Sequence, residues 1–262
     1  MTLTIASWNV NSIKARLPNV LDWLREAKPD IVCLQEIKTM DEGFPRLEIE
    51  DAGYNVTTHG QKTYNGVAIL SRFPIEEALP GLPGDDEDEQ ARYLEAVIAA
   101  PNGPIRVASI YLPNGNPAPG PKYDYKLAWM ERLHHHAEGL LKLEEPLILA
   151  GDYNVIPRDS DCWDPGVWAK DALALPQSRA AFRSLKWLGL TEAFEQVDGR
   201  AHQYTFYDYQ AGAWNKGWGI RIDHLLCSPQ AADRLESIEI HKATRGEPKA
   251  SDHIPIVGTF SL

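Results

Sequence analysis

Short apolar, β-branched runs that stop abruptly on a carboxylate, an amide, a phenol or an imidazole recur from one end of the chain to the other, and nothing else in the sequence constrains the fold as strongly. Residues 3–10, 31–35, 54–58, 66–72, 94–100, 105–112, 146–151, 220–228 and 254–260 read as strands, because aliphatic side chains cluster there between Gly, Pro and Asn turns. Between the first two, Leu17, Val20, Leu21 and Leu24 recur at i, i+3, i+4 and i+7, the spacing of an amphipathic helix. The longest helical pattern, residues 123–143, is apolar at Leu127, Met130, Leu133, Ala137, Leu140 and Leu141; residues 178–189 predict another helix, ending at a glycine suited to a C-cap. Strands that follow one another without a helix, as at 66–72, 94–100 and 105–112, predict antiparallel pairing. The Pro/Gly-rich loops 79–84 and 113–121 are short and lie between strands, and no repeat of solenoid or propeller period occurs. The expected architecture is a single α+β domain over residues 1–262.

Charge and cysteine content narrow the function classes. With 37 Asp and Glu against 26 Lys and Arg, the net charge of −11 excludes a protein that holds nucleic acid by bulk positive charge, such as a basic arm. Cys33, Cys162 and Cys227 are widely spaced and form no CxxC pair, which predicts a reducing, cytoplasmic compartment. The first residues lack a basic stretch followed by an apolar core, and no run approaches the roughly 18 apolar residues of a membrane span, so no membrane partner is expected. Cys33, inside a strand pattern, reads as a small core residue. The five acids at 85–89 read as a solvated loop, and His134, His135 and His136, about 100° apart around a helix, read as solvated side chains that cannot share one metal.

The strand ends carry the chemistry. Ser7-Trp8-Asn9-Val10-Asn11, Leu34-Gln35-Glu36-Ile37-Lys38, Tyr111-Leu112-Pro113-Asn114-Gly115, Gly151-Asp152-Tyr153-Asn154-Val155, Arg221-Ile222-Asp223-His224 and Ser251-Asp252-His253-Ile254-Pro255 each lead an apolar run into polar side chains, where loops usually carry function. If these ends converge, Glu36, Asp152, Asp223 and Asp252 meet Asn9, Asn11, Asn154, Tyr111 and His253. Four carboxylates in one place repel each other unless a cation neutralises them. Oxygen-rich ligation, without the His and Cys spacing of a zinc site, points to Mg²⁺, with Mn²⁺ as a substitute. Such an ion beside a carboxylate and a histidine suits hydrolysis of a phosphate ester. Any one segment alone reads equally well as a turn, a helix cap or a buried polar residue; the series does not.

The ordered set SWNVNSIKAR, DIVCLQEIK, YLPNG, LAGDYN, RIDHLL and SDHIP, spread over residues 3–260, resembles the exonuclease III family of abasic-site endonucleases, within the wider endonuclease/exonuclease/phosphatase superfamily. That resemblance implies a four-layered α/β sandwich, two mixed β-sheets packed face to face with helices outside. It implies Glu36 as the principal metal ligand, with Asn9, Asn11 and Asp252 near the ion directly or through water. Asp152 takes the position of the carboxylate that orients and deprotonates the attacking water, and Asn154 holds that geometry. Asp223 resembles the partner of His253, whose ring donates to a phosphate oxygen, and Tyr111 the phenol close to the scissile phosphate. A phenol with an ordinary pKa near ~10 is a poor nucleophile at neutral pH, which favours water activated by Asp152.

Asn114 and Arg92 match positions that contact the DNA backbone, Tyr64 one that approaches the strand near the lesion, and Lys122 begins the long helix on the loop side. Phe206 resembles an aromatic wall of a pocket for a sugar without a base. Where relatives place a second wall, a Trp just before the Arg of the RxD motif, this chain has Ile220, with Trp218 two residues earlier; Trp218 either fills that space or belongs with Trp214 to a DNA-facing loop. Trp163 and Trp168 either touch DNA or anchor a long loop. The activity implied is Mg²⁺-dependent cleavage 5′ to abasic sites, with 3′-end cleaning and 3′-to-5′ exonuclease action, by a monomer on double-stranded DNA with abasic sites or blocked 3′ ends. Two rivals share the residues: a phosphatase or phospholipase acting on another phosphoester, against which the RIDHLL context counts, and an inactive nucleic-acid-binding relative, against which the full residue set counts.

Overall fold

The computed structural model describes residues 2–261. Its strands are β1 (Thr2–Asn9), β2 (Ile31–Gln35), β3 (Asn55–His59), β4 (Val67–Ser71), β5 (Ile75–Pro80), β6 (Tyr93–Ala100), β7 (Gly103–Tyr111), β8 (Leu147–Asp152), β9 (Thr191–Glu192), β10 (Asp223–Cys227), β11 (Leu235–Ile240) and β12 (Ile256–Ser261). They form two six-stranded mixed sheets, ordered β11-β12-β1-β2-β4-β3 and β5-β6-β7-β8-β10-β9. Each sheet has one parallel pair at its centre, β1 with β2 and β7 with β8; the other pairings are antiparallel. The helices α1 (Ile13–Ala27), α2 (Arg46–Asp51), α3 (Pro121–Leu141), α4 (Pro165–Trp168) and α5 (Pro176–Trp187) follow in chain order. A parallel pair needs a crossover, and α1 and α3 supply it, one for each sheet.

Strand periodicity assigns the faces. Leu3 and Ile5 of β1 pack between the sheets, while Ala6 and Trp8 pack with Val20, Trp23 and Leu24 of α1 on the outside. In the same way Ile148 and Ala150 of β8 face inward and Leu147 and Leu149 meet α3 and α5. Strands covered on both faces read as continuous apolar runs, which is why the central ones were legible in the sequence. The expected four-layered sandwich is therefore observed, each buried Leu or Ile contributing roughly 1.5–3 kcal/mol.

The inward rows change character along their length. Leu3 and Ile5 are followed by Ser7 and Asn9, Ile31 and Cys33 by Gln35, Val107 by Ser109 and Tyr111, and Ile148 and Ala150 by Asp152. Between the sheets, Gln35 Nε2 donates to Ser109 Oγ at 3.1 Å, and Ser109 Oγ donates to the Leu34 carbonyl at 2.8 Å. These bonds mark where the apolar interior gives way to a polar end, at the carboxyl termini of both parallel pairs, the usual position of sites in open α/β sheets. Gly151 permits the close approach there: a Cβ would lie 2.0 Å from the Ile110 carbonyl oxygen of the neighbouring strand.

Several expectations need correction. The strands at 66–72 and 94–100 do not pair; β4 and β6 belong to different sheets. The edge strands β5 and β11 were not foreseen, because an edge facing solvent carries too few apolar residues to look like a strand; β5 is almost wholly exposed beyond Ile75. The 220–228 run is a strand only from Asp223, and Ile220 instead bridges Cys162 and Phe206. The fully buried face of α3 includes Lys126, with Leu127 only partly covered. The acidic run is not wholly solvated: Asp88 accepts hydrogen bonds from Tyr125 Oη at 2.9 Å and Arg132 Nη2 at 2.5 Å. Nor is His136, which meets Glu95 Oε2 at 2.7 Å. Cys33 is a core residue, its thiol pushed well up by burial.

Candidate active site

Both sheets deliver side chains to the polar end of the sandwich. Asn9, last in β1, donates through one amide nitrogen to Glu36 Oε1 at 2.8 Å and to Asp152 Oδ2 at 3.0 Å, joining a carboxylate from each sheet. Its oxygen accepts from the Asn11 amide N–H at 3.0 Å. Asn11 Nδ2 reaches Asp252 Oδ1 at 3.1 Å, and Lys38 Nζ lies 2.8 Å from Glu36 Oε2. Register places Tyr111 and Asp223 on either side of Asp152, one on each neighbouring strand. His253 Nδ1 lies 3.0 Å from Asp223 Oδ2, and its Nε2 points to Asp152 Oδ2 at 3.6 Å. Ser251 Oγ accepts from the His253 N–H at 3.2 Å and donates to the Asn9 carbonyl at 2.7 Å, fastening that loop to β1.

The loops bearing these groups hold left-handed backbone at non-glycine residues, with φ of +45° at Asn11, +50° at Glu36 and +47° at Asn154. Each such residue costs on the order of 1–3 kcal/mol and persists where the surroundings fix it. Here they do: Ser12 N–H donates to the Glu36 carbonyl at 2.7 Å, and Asn154 N–H to Asp152 Oδ1 at 2.9 Å.

Burial raises Asp152 above the ordinary carboxylate range, while His253, the Asn154 N–H and Asn9 oppose that rise. Burial favours a neutral His253, yet Asp223 and Asp152 outweigh it and hold the ring above its usual value. Glu36 is lowered despite its burial, chiefly by Lys38. Tyr111 is pushed well above the usual phenol range by burial, with Glu36 and Asp152 adding to it. Lys38 thus meets Glu36, and His253 meets Asp152 and Asp223, while Asp252 is held by the Asn11 amide. Side-chain atoms of Glu36, Asp152 and His253 lie within 4.8 Å of one another, and the carboxylate oxygens of Glu36 and Asp152 are donors that a hard metal takes.

Residues 6–253 match the model of the Endonuclease/Exonuclease/phosphatase family. The chain belongs to that family. It is 32% identical over 265 residues to the exodeoxyribonuclease III of Haemophilus influenzae, covering 97% of this chain and 98% of the relative. Among solved structures, an AP endonuclease from Archaeoglobus fulgidus superposes with a TM-score of 0.94 at 36% identity, over 99% of this chain and 100% of the other. A Neisseria 3′ phosphatase, solved with a product DNA hairpin, gives 0.95 at 35% identity over 99% of this chain and 100% of its own.

In this family member the cluster forms the floor of a cavity of about 280 Å³. Its polar lining includes Glu36, Tyr111, Asn114, Asp152, Asn154, Asp252 and His253, and its apolar lining Trp168, Leu173, Phe206, Ile220 and Ile222. Phe206 lines the cavity, its ring 4.9 Å from that of His253. Trp218 does not enter the cavity; it stacks on Trp163 at 4.5 Å, with Lys216 Nζ 4.1 Å above it. Trp168 of α4 also lines the cavity, brought in from a loop far from Ile220 in sequence. Arg92 lies 4.8 Å over the Tyr111 ring, with Nε on Gln90 Oε1 at 2.7 Å. Tyr64 is largely exposed and Lys122 lies exposed in the first turn of α3; neither lines the cavity.

Three groups escaped the sequence reading. Asn116 and Asp171 line the cavity and bond to each other at 3.0 Å, tying the loop after β7 to the loop holding α4. Their composition signalled only a turn. Lys38 lies two residues beyond Glu36 and could have been found as the one cation in the Leu34-Gln35-Glu36-Ile37-Lys38 segment.

Proposed function

We propose that this chain is a Mg²⁺-dependent phosphodiesterase of DNA repair, one domain over residues 1–262, for which Mn²⁺ substitutes. It cleaves the backbone 5′ to abasic sites, cleans blocked 3′ ends and degrades duplex DNA from 3′ ends, acting as a monomer in the cytoplasm. The observation that carries this reading is the convergence of Glu36, Asp152 and His253 from both sheets on the floor of one cavity. The name of the Neisseria relative and its product hairpin support a DNA substrate.

A divalent ion would be held by Glu36, with Asn9, Asn11 and Asp252 around it directly or through water, and would offset charge on the phosphoryl oxygens. Asp152, with one oxygen held by the Asn154 N–H and the other by Asn9, orients the attacking water and takes its proton. A carboxylate raised by burial is the better base for that step. His253 donates from Nε2 to a non-bridging oxygen while Asp223 fixes Nδ1. Tyr111 donates as a neutral phenol, since its surroundings disfavour phenolate. The apolar wall of Phe206, Trp168 and Ile220 suits a sugar without its base. Asn114, Arg92, Tyr64, Lys122 and Trp218 are proposed contacts along the DNA.

The test is cleavage of a labelled duplex with one central tetrahydrofuran abasic analogue, beside an undamaged duplex, with Mg²⁺ or EDTA, for the wild type and Glu36→Ala. Metal-dependent incision 5′ of the analogue, weakened in the variant, is expected. Inactivity on both duplexes with Mg²⁺ and Mn²⁺ would sink the reading.

A further inference from the structure

Lys126 is buried on the core-facing side of α3, in a stripe otherwise made of Tyr123, Trp129, Met130 and Leu133. Burial there disfavours the charged ammonium and lowers its pKa to about 7, so a lysine in this stripe opposes folding and calls for another reason. Among the described residues its ammonium meets no carboxylate; it donates to the main-chain carbonyls of Asn154 at 2.5 Å and Asn114 at 3.1 Å. Those carbonyls belong to the loops after β8 and β7, the two that frame Asp152.

Asn154 sits in left-handed backbone and orients Asp152 through its own N–H, while its side chain donates to the Leu112 carbonyl at 2.9 Å and accepts from Asn114 Nδ2 at 3.0 Å. Gly115 keeps the passage open: it holds φ at +89°, and a Cβ there would fall 2.6 Å from Lys126 Cδ. We propose that Lys126 is a positioning residue for hydrolysis, clamping both loops from inside so that Asn154 holds the Asp152 carboxylate in register with Glu36 and His253. This inference rests on the phosphodiesterase reading of the site.

The test is a kinetic cycle on the abasic duplex with Mg²⁺: wild type, Lys126→Met, Asn154→Ala and the double variant, with Lys126→Gln alongside and thermal unfolding of each. Lys126→Met is expected to lower kcat on the order of 100-fold, the scale of a small misplacement near the reacting atoms, with KM changed less than about threefold. Lys126→Gln, which keeps an N–H donor, should recover part of that loss. The double variant should be no slower than Asn154→Ala alone, because one change acts through the other. If Lys126→Met does not fold, Gly115→Ala, which presses on the lysine stem from the loop side, takes its place in the cycle with the same expectation. Losses that multiply, a loss in KM alone, or a folded Lys126→Met with wild-type kcat would overturn the clamp and leave the phosphodiesterase reading intact. A wild type inert on the duplex would instead overturn that reading.

Discussion

Replacing Arg221 by methionine should cost this protein several kcal/mol of stability in a way that depends on pH. The guanidinium is buried and donates from Nε and Nη2 to Asp161 Oδ1 at 3.1 and 3.0 Å and from Nη1 to Glu192 Oε1 at 3.0 Å. Burial alone would raise Glu192, but Arg221 and His224 overcome it and lower the carboxyl from 4.5 to about 2. That displacement corresponds to roughly 3 kcal/mol, in line with the ~3–5 kcal/mol for breaking a buried pair from one side. The depressed Glu192 contributes stability that is complete above its unfolded value of 4.5 and is lost as pH falls toward about 2. Without the guanidinium, burial dominates and the sign reverses: Glu192 of the variant binds a proton on folding, so the penalty is greatest at neutral pH and shrinks as pH falls toward ~4.5. Urea unfolding of wild type and Arg221→Met at pH 7 and pH 4.5 should therefore give a stability gap of about 3–5 kcal/mol that narrows at the lower pH. A gap below ~1 kcal/mol at pH 7, the scale of an exposed ion pair, or one equally wide at both pH values, would refute the reasoning.

Two further outcomes bear on the chemistry and the pocket. Asp152→Asn should lower kcat with Mg²⁺ by about 10²–10⁴-fold, the range of a lost general base, whereas Tyr111→Phe, which gives up only a hydrogen bond, should stay within ~100-fold; single-turnover cleavage of the abasic duplex ranks them, and the reverse ranking would make the phenol the nucleophile. Trp168→Ala should raise KM for that duplex about 3–10-fold, the worth of one aromatic contact, and more than Trp218→Ala does; steady-state kinetics on both variants decides, and a larger effect at Trp218 would return the second wall to its loop.

The residues that meet at Asp152 were legible because each closes a central strand, and a strand covered on both faces must be apolar until the point where it leaves the core. Glu36 after Ile31–Gln35 and Asp152 after Leu147 to Gly151 stand out for that reason. The edge strands β5 and β11 were not legible, since their exposed faces admit polar residues and erase the alternation. Trp168 and Lys126 were misread or passed over for different reasons. Trp168 lies 52 residues before Ile220, and only the folded path of the loop after β8 brings the two to one cavity. Lys126 breaks a helical stripe that pattern reading fills with the neighbouring Leu127.

What the chain's order of residues determines alone is therefore the layer plan and the chemical cast: period-two and helical spacings are set by local geometry, and a convergence of carboxylates, amides and an imidazole at strand ends already calls for a cation. Tertiary structure decides which of those groups touch. Asn9 bridging two sheets, the guanidinium of Arg221 between Asp161 and Glu192, and Trp168 lining one cavity with Ile220 are long-range contacts. Local spacing carries no information about them, because they depend on how two sheets and their loops pack in space.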